Sequence, residues 1–396
     1  MTFAIDPATI RVPFERALSR LRDARFVDAL WMRRLDVWTP DAAVQKRIAA
    51  RLGWLDAVSL MQPHVSRLRA SADSVRAAGF TDIVLLGMGG SSLAPEVLRT
   101  VGGVAKASPR FHVLDSIDPD AIRATITNPA TTLFIVASKS GSTIEVASLA
   151  AEAERQVRDA GVGNLGSHFI AITDEGTVLQ QEAGNKQFRD LFLNPADIGG
   201  RYSALSFFGL VPAAHMGIDA DALLSSARAM TDACRRDDLE RNPGVRLGAA
   251  MAAGASVGRD KLMLCLPEHL QPFGLWIEQL VAESTGKHGK GIVPVVAPQD
   301  DPASGDDRLR VTVDSANVAD LGAAFFQWEV ATATAGFLIG INPFDEPNVQ
   351  QAKDATRALL VTYAADRRLP GRTARGARSL RGTRGRAAGT RCRVRR

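Results

Sequence analysis

Four short, nearly continuous apolar runs between residues 81 and 174 constrain the fold of this chain more than any other feature. They are TDIVLLG, RFHVLD, TTLFIVAS and SHFIAITD. Segments with apolar residues at three- and four-residue steps, such as IEVASLAAEAERQV, lie between them and predict helices. A strand that is apolar at almost every position is buried on both faces, as in a parallel sheet covered by helices. We therefore predict a doubly wound α/β domain over residues 79–235.

Two further regions flank this domain. A second set of apolar runs alternates with helical patterns and predicts a second, smaller α/β domain over residues 236–360: KLMLCLP, GIVPVV, RVTVD and GFLIGINPF. Residues 1–78 show helical spacing without strand-like runs, as in AVQKRIAARLGWLDAVSLM, and predict a helical N-terminal segment. A chain of 396 residues is too long for one core, which agrees with a division into several parts.

The composition is that of a soluble globular protein, with 46% hydrophobic and 23% charged residues. Charged residues occur throughout the first thirty positions, so we expect no secretion signal. No uncharged apolar run reaches the roughly 18 to 20 residues of a membrane-spanning helix. The cysteines Cys234, Cys265 and Cys392 match no metal-ligand spacing and fit a reducing cytoplasm. We predict that Cys234 and Cys265 are core residues.

The C-terminal residues differ in composition from the rest of the chain. Residues 367–396 contain twelve arginines and no acidic residue, so the formal net charge of +5 conceals an acidic remainder. The scattered apolar residues cannot offset the loss of chain entropy, and we predict a disordered tail over residues 366–396. One interpretation is a polybasic arm that contacts nucleic acid or acidic surfaces. The other, which we favour, is an out-of-frame translation of a GC-rich gene that replaces a normal C-terminus.

A glycine- and serine-rich segment, GMGGSS, follows the first apolar run and precedes a helical pattern. Backbone N–H groups and a helix N-terminus in that position favour an anion. The segment is similar to the dinucleotide fingerprint G-x-G-x-x-G, with Ser92 in place of the last glycine. Asp115, however, lies 28 residues after Gly87, whereas a ribose-binding acid is expected after roughly 20. Three interpretations are open: a dinucleotide pyrophosphate, the phosphate of a small substrate, or a turn without ligand.

A second loop, SKSGST, follows the third apolar run and begins another helical pattern. Ser138, Lys139, Ser140, Ser142 and Thr143 supply four hydroxyls and one ammonium within six residues. Such a group at a helix N-terminus suits a compact dianion, and a dinucleotide site has no need of it. Loops after nearby parallel strands meet at the carboxyl edge of a sheet, where doubly wound folds bind ligands. The two loops together favour the phosphate of a small substrate over a dinucleotide or a solvated loop.

Five segments resemble motifs of known sugar-phosphate enzymes. GMGGSSLAPEV and SKSGSTIEV resemble the two phosphate loops of sugar isomerase (SIS) domains. Three later segments resemble the first signature, the catalytic-glutamate segment and the second signature of the phosphoglucose isomerase family: ADIGGRYSALS (196–206), EQLVAESTGK (278–287) and INPFDEPNVQQAK (341–353). The chain looks most like the isomerase half of bacterial proteins in which a transaldolase domain precedes the isomerase. The resemblance implies two SIS domains with flavodoxin-like parallel sheets.

The resemblance also implies an activity: interconversion of glucose 6-phosphate and fructose 6-phosphate through a cis-enediolate, by a homodimer and without a metal or redox cofactor. Glu283 matches the general base, and Arg201 matches the arginine placed over the enediolate, where a fixed charge stabilises the transition state. Lys353 matches the lysine that assists at the ring oxygen or the sugar hydroxyls. Six residues match those that hold the phosphate: Gly90, Ser91, Ser138, Lys139, Ser140 and Thr143.

The sequence departs from the family pattern at two points. Glu346 stands where the family usually has a phosphate-binding glutamine, and a carboxylate there would repel a dianion. The family opens the sugar ring with a histidine, and the only histidine after Glu283 is His288. His288 is therefore a candidate, beside Lys353 and ring opening in solution. Two alternatives to an active isomerase stay open: a non-catalytic sugar-phosphate-binding SIS protein, and an isomerase inactivated by its altered C-terminus.

Overall fold

The computed structural model describes residues 3–313 and 318–368, apart from the side chains of residues 318 and 347–353. Of the described residues, those up to Asp345 form one compact unit and those from Glu346 form a second. The arginine-rich segment after residue 368, with Cys392, lies outside the described residues. The prediction of a disordered tail therefore stays a prediction, as do the domain boundaries.

The N-terminal segment is mostly helical but begins with a strand, β1 (Phe3–Ile5). Five helices follow it: α1 (Arg11–Asp23), α2 (Phe26–Trp31), α3 (Ala42–Ala49), α4 (Ala57–Met61) and α5 (Val65–Ala77). The prediction of a helical segment without strands is wrong at β1, which pairs antiparallel with a strand of the second sheet. A three-residue strand is too short to form a recognisable run, and its buried side chains, Phe3 and Ile5, depend on partners far along the chain.

Five parallel strands form the first sheet: β2 (Asp82–Gly87), β3 (Arg110–Leu114), β4 (Thr132–Ala137), β5 (Phe169–Asp174) and β6 (Asp190–Asn194). Their order, β3-β2-β4-β5-β6, is the flavodoxin-like order of doubly wound folds. Each of the four predicted runs forms one of these strands, so the predicted parallel sheet is confirmed. The prediction missed β6, because its sequence DLFLN is short and has polar ends.

Helices lie along both faces of the first sheet: α6 (Leu93–Val97), α7 (Pro119–Thr125), α8 (Ile144–Asp159), α9 (Val178–Asn185) and α10 (Phe207–Met216). Alternate residues of β2 enter different apolar cores. Ile83 and Leu85 join the core that includes α10, whereas Val84 and Leu86 join the core that includes α8. Each such side chain contributes about 1.5–3 kcal/mol when fully buried. This two-sided burial is the reason why the central strands are apolar at almost every position.

The second sheet has four strands in the order β1-β9-β7-β8. Three of them are parallel, namely β7 (Lys261–Leu266), β8 (Val293–Pro298) and β9 (Arg308–Val313), and β1 is antiparallel at the edge. Four helices belong to the same half of the chain: α11 (Ala220–Cys234), α12 (Pro243–Ser256), α13 (Gln271–Glu278) and α14 (Leu321–Ile339). A second α/β region is therefore present, although its sheet is not wholly parallel.

The predicted strand GFLIGINPF is wrong, because its first residues continue helix α14. Gly340, with φ +74°, ends that helix. Nearly every residue of α14 is buried, so its apolar residues show no helical periodicity that would distinguish it from a strand. The helix packs instead along α11 and α12.

Three remaining features bear on the predictions. The second unit contains α15 (Pro347–Asp366), whose described side chains are almost all exposed. Among the described residues, no helix combines the length and the apolar character needed to cross a bilayer. Cys234 and Cys265 are free and buried, as predicted.

Candidate active site

Both predicted phosphate loops lie at the carboxyl edge of the first sheet. GMGGSS begins at the end of β2 and SKSGST follows β4, and these strands are neighbours, with Gly87 opposite Ala137. From β2 the chain passes to β3 on one side, and from β3 it crosses to β4 on the other. The two loops therefore flank the crevice at which the connections diverge, which is the usual ligand site of a doubly wound sheet.

The second loop is closed by its own side chains. Ser138 Oγ donates a hydrogen bond to Thr143 Oγ1 at 3.2 Å, and Ser142 Oγ donates to Ser140 Oγ at 3.0 Å. Gly141 has φ +62°, a conformation that favours glycine. Thr143 is the N-cap residue of α8, so the positive end of that helix faces the loop. The loop thus presents hydroxyls and a helix N-terminus to the crevice.

The Lys139 ammonium of this loop is bonded to other groups of the protein. Its Nζ forms an ion pair with the carboxylate of Asp174, the last residue of β5, and donates to the Ala196 carbonyl oxygen at 2.8 Å. Burial raises the pKa of Asp174, while the hydrogen bond and charge of Lys139 oppose that rise. The ammonium therefore ties the second loop to the first signature. Its contact with a substrate phosphate stays a prediction.

The first loop contains a 3₁₀ turn, Gly89–Ser91, that touches two other motif segments. A Cβ built on Gly90 would lie 2.2 Å from the Gly200 carbonyl oxygen, so the loop packs backbone to backbone against the first signature. Gly89 has φ +56°, and a Cβ there would lie 2.7 Å from the side-chain nitrogen of Gln279. Gly90 is needed for the close backbone approach, whereas the positive φ is what favours glycine at position 89.

Arg201 and Glu283 form an ion pair, with Nη1 2.8 Å from Oε1. The Arg201 side chain is only 6% exposed, and its Nη2 also donates to the carbonyl oxygens of Asp345 and Pro343, at 3.0 and 3.3 Å. Glu283 keeps 28% of its side chain exposed. A buried guanidinium with several partners is preorganised to meet charge that develops beside it.

Glu283 is the last residue of a π-helical turn, Gln279–Glu283, that continues α13. The chain stays helical through Ser284 and Thr285, so Glu283 lies inside the last helical residues rather than at their end. A π-turn places an extra residue in the helix and is frequent at functional sites. Gln279, at the start of the turn, faces the first loop, and sequence reasoning missed it. The available signal was its position one turn before the candidate base.

Lys287 is a second residue that sequence reasoning missed. Its Nζ is buried and donates to the Asn342 and Asp345 carbonyl oxygens at 2.6 Å and to Asp345 Oδ1 at 2.7 Å. It therefore holds the start of the second signature beside Arg201, which bonds to the same carbonyl of Asp345. The sequence feature that could have identified Lys287 is its position at the end of the catalytic-glutamate segment.

The other sequence candidates are His288, Lys353 and Glu346. His288 is exposed, with φ +54°, in the turn that follows Lys287. Lys353 belongs to α15 in the second unit, and its side chain is outside the described residues. Glu346 directly precedes the same helix. The roles of His288 and Lys353, and the effect of Glu346, stay predictions.

Substitution of Gly90 by alanine should destabilise the protein by about 1–3 kcal/mol, because the new methyl group would overlap the Gly200 carbonyl. The matched control is Gly200→Ala, where a Cβ meets nothing within 4 Å. Chemical denaturation of both variants measures the difference in free energy of unfolding. Equal stability of the two variants would contradict the proposed backbone contact.

Comparison with known proteins identifies the family. The family model of phosphoglucose isomerase matches residues 58–294, which is more than half of the chain. The chain belongs to the phosphoglucose isomerase family. The matched residues include both phosphate loops, the first signature and the segment of Glu283.

Named relatives agree with this assignment. The glucose-6-phosphate isomerase of a Cyanothece species is 32% identical over 277 residues, which are 68% of this chain and 51% of the relative. The chain thus spans about half the length of such curated members of the phosphoglucose isomerase family.

Solved structures agree with the predicted SIS-type fold. A glucose-6-phosphate isomerase from Chlamydia trachomatis matches 89% of this chain and 86% of its own, with a TM-score of 0.70 and 17% identity. A hypothetical protein from Thermus thermophilus matches 90% of this chain and 99% of its own, with a TM-score of 0.74 and 23% identity.

Proposed function

We propose that the protein is an aldose–ketose isomerase that interconverts glucose 6-phosphate and fructose 6-phosphate. The observation that carries the proposal is the ion pair between Arg201 and Glu283, at 2.8 Å, beside two hydroxyl-rich loops at one sheet edge. A base and a fixed cation next to an anion site are what isomerisation of a sugar phosphate requires. Relatives at 32% identity that bear the name glucose-6-phosphate isomerase support the choice of substrate.

Binding of its phosphate group positions the substrate in the site. Gly90 and Ser91 from the first loop and the hydroxyls of Ser138, Ser140 and Thr143 from the second loop surround it, as the family resemblance implies. The N-terminus of α8 adds a partial positive charge to these donors. Lys139 contributes its charge from the same loop, although its ammonium also holds Asp174. A phosphate fixed in this crevice directs the sugar carbons toward Glu283.

Glu283 acts as the general base that moves the proton between adjacent carbons. It removes the proton from C2 of the open-chain aldose and returns it to C1, while a proton moves from O2 to O1. The C1 carbonyl becomes an alcohol and the C2 alcohol becomes a carbonyl, so the reaction is balanced without a cofactor. Arg201 stabilises the enediolate oxygens between the two transfers, because its guanidinium is already fixed beside the base.

Ring opening precedes the proton transfer, and two residues are candidates for it. His288 supplies an imidazole from the turn after the catalytic-glutamate segment. Lys353 supplies an ammonium at the end of the second signature. Opening in solution is the third route. Measurement of the anomer preference of His288→Gln and Lys353→Met variants distinguishes the three.

A coupled assay tests the proposed function directly. Glucose 6-phosphate formed from fructose 6-phosphate is followed with the purified full chain, and calorimetry measures binding of 6-phosphogluconate to the same sample. We expect both turnover and binding. Binding without turnover would favour the non-catalytic sugar-phosphate protein, and the absence of both would contradict a sugar-phosphate site.

The same proposal extends to the assembly and location of the protein. A homodimer is expected from the family resemblance, and light scattering of the purified chain measures it. Association with a transaldolase, as in the fused bacterial proteins, would appear as a complex of the two purified proteins. A cytoplasmic location fits two buried free cysteines and a phosphorylated substrate.

A further inference from the structure

A buried carboxyl group lies in the interior, on helix α14. Glu329 stands in the middle of α14, is 1% exposed, and neither of its carboxyl oxygens has a hydrogen-bond partner among the described residues. Burial raises the pKa of Glu329 well above its ordinary value. An isolated charge in such a place is very unfavourable, so the neutral acid is the form that the interior accommodates.

Two buried hydroxyls accompany this carboxyl group, those of Tyr202 and Ser284. Within the described part of the chain, neither has a hydrogen-bond partner that meets ordinary geometric limits. Burial raises the pKa of Tyr202, Arg201 and the Ser284 hydroxyl oppose the rise, and Glu329 adds to it. The Tyr202 hydroxyl is thus within electrostatic range of both Ser284 and Glu329. Stacked rings connect Tyr202 to α14, because Trp54 lies against both Tyr202 and Phe326, with ring centroids at 5.2 and 5.8 Å.

The positions of these hydroxyls along the chain connect them to the reaction. Tyr202 directly follows Arg201, and Ser284 directly follows Glu283. The turn that carries Arg201 and the π-turn that carries Glu283 also contact each other, and the π-turn contacts α14. A shift of either backbone segment would therefore change the geometry of the ion pair.

The protonation state of Glu329 decides what the group can do there. A neutral carboxyl group both donates and accepts hydrogen bonds, so it can serve two hydroxyls that each donate and accept. An ionised Glu329 would only accept hydrogen bonds, so it could not donate one to either hydroxyl. The neutral form therefore suits both hydroxyls.

We propose that Glu329 is a positioning residue. Its neutral carboxyl group, with the hydroxyls of Tyr202 and Ser284, fixes the relative position of the two backbone segments that carry Arg201 and Glu283. The proposal rests on the proposed isomerase function for its kinetic consequences. The neutral state of the carboxyl group is independent of that function.

Three variants of the full chain test the proposal. Glu329→Gln keeps a neutral donor and acceptor of the same shape, Glu329→Leu removes both, and Thr332→Val is the matched control one turn further along α14. Thr332 is likewise fully buried, and its hydroxyl also lacks a partner among the described residues. Tyr202→Phe is a second route to the same effect if Glu329→Leu does not fold.

The kinetic readout is kcat and KM for fructose 6-phosphate. We expect Glu329→Leu, or Tyr202→Phe in its place, to lower kcat by about 10²-fold, because a small misplacement of catalytic groups has an effect of that size. The KM should stay near that of the wild type, and both Glu329→Gln and Thr332→Val should retain kcat. Equal losses in the Gln and Leu variants, or full kcat in the Leu variant, would overturn the positioning role.

An infrared difference spectrum tests the neutral carboxyl group without reference to activity. Wild type minus Glu329→Gln should show the C=O stretch of a protonated carboxylic acid at neutral pH. A carboxylate band in its place would overturn the proposal. A wild-type chain without turnover that shows the acid band would count against the proposed isomerase function, not against the neutral carboxyl group.

Discussion

Replacement of Glu283 by glutamine should lower kcat for isomerisation of fructose 6-phosphate by about 10³-fold, within the range for loss of a general base. The amide cannot accept the proton from the sugar carbon, although it has nearly the same shape. Neither phosphate loop is altered, so the calorimetric affinity for 6-phosphogluconate should stay close to that of the wild type. The coupled assay and calorimetry on the same preparation measure the two effects.

The control for this variant is Glu278→Gln. Glu278 ends the regular part of α13, shortly before the π-turn, and its side chain is exposed. The Glu278→Gln variant removes the same charge from the same helical segment but does not alter the ion pair with Arg201. The kcat of this variant should match that of the wild type. Full activity of Glu283→Gln would remove Glu283 from the mechanism. A parallel loss of 6-phosphogluconate binding would instead give it a binding role.

The first sheet could be predicted from the sequence because burial on both faces requires apolar residues at almost every position of its central strands. Every position of β2 and β4 is buried, so both strands appear as continuous apolar runs. The same reasoning failed where the pattern of apolar residues does not show the period of the secondary structure. Helix α14 is buried all round and resembles a strand, and β1 is too short to show a pattern at all. Both errors arise in the second α/β region, where elements distant in sequence pack together.

The candidate site was predictable in its residue types but not in its contacts. Motif resemblance selected Arg201 and Glu283, which lie 82 positions apart in the chain, and the structure joins them at 2.8 Å. No local pattern could have indicated that Lys139 would pair with Asp174, since the two residues are brought together only by neighbouring parallel strands. The same holds for Lys287, whose acceptors are backbone carbonyls without a residue-type signal.

Replacement of Arg201 by lysine tests whether charge alone is sufficient at this position. One guanidinium contacts Glu283 and two backbone carbonyls, whereas a single ammonium cannot reach all three in the same geometry. We expect kcat to fall by about 10²–10³-fold, as for loss of a transition-state donor. Chemical denaturation should show a loss of about 1–3 kcal/mol in the free energy of unfolding, since buried acceptors lose their donor.

The matched control is Arg67→Lys, and the test of coupling is the double variant with Glu283→Gln. Arg67 also bonds a carboxylate and a carbonyl, those of Asp190 and Leu191, but it is 45% exposed. Its replacement should change stability by less than about 1 kcal/mol. In the Glu283→Gln background, Arg201→Lys should cost less stability than in the wild type, because the two side chains interact. Additive losses would mean that Arg201 acts through the carbonyls of the second signature rather than through the base.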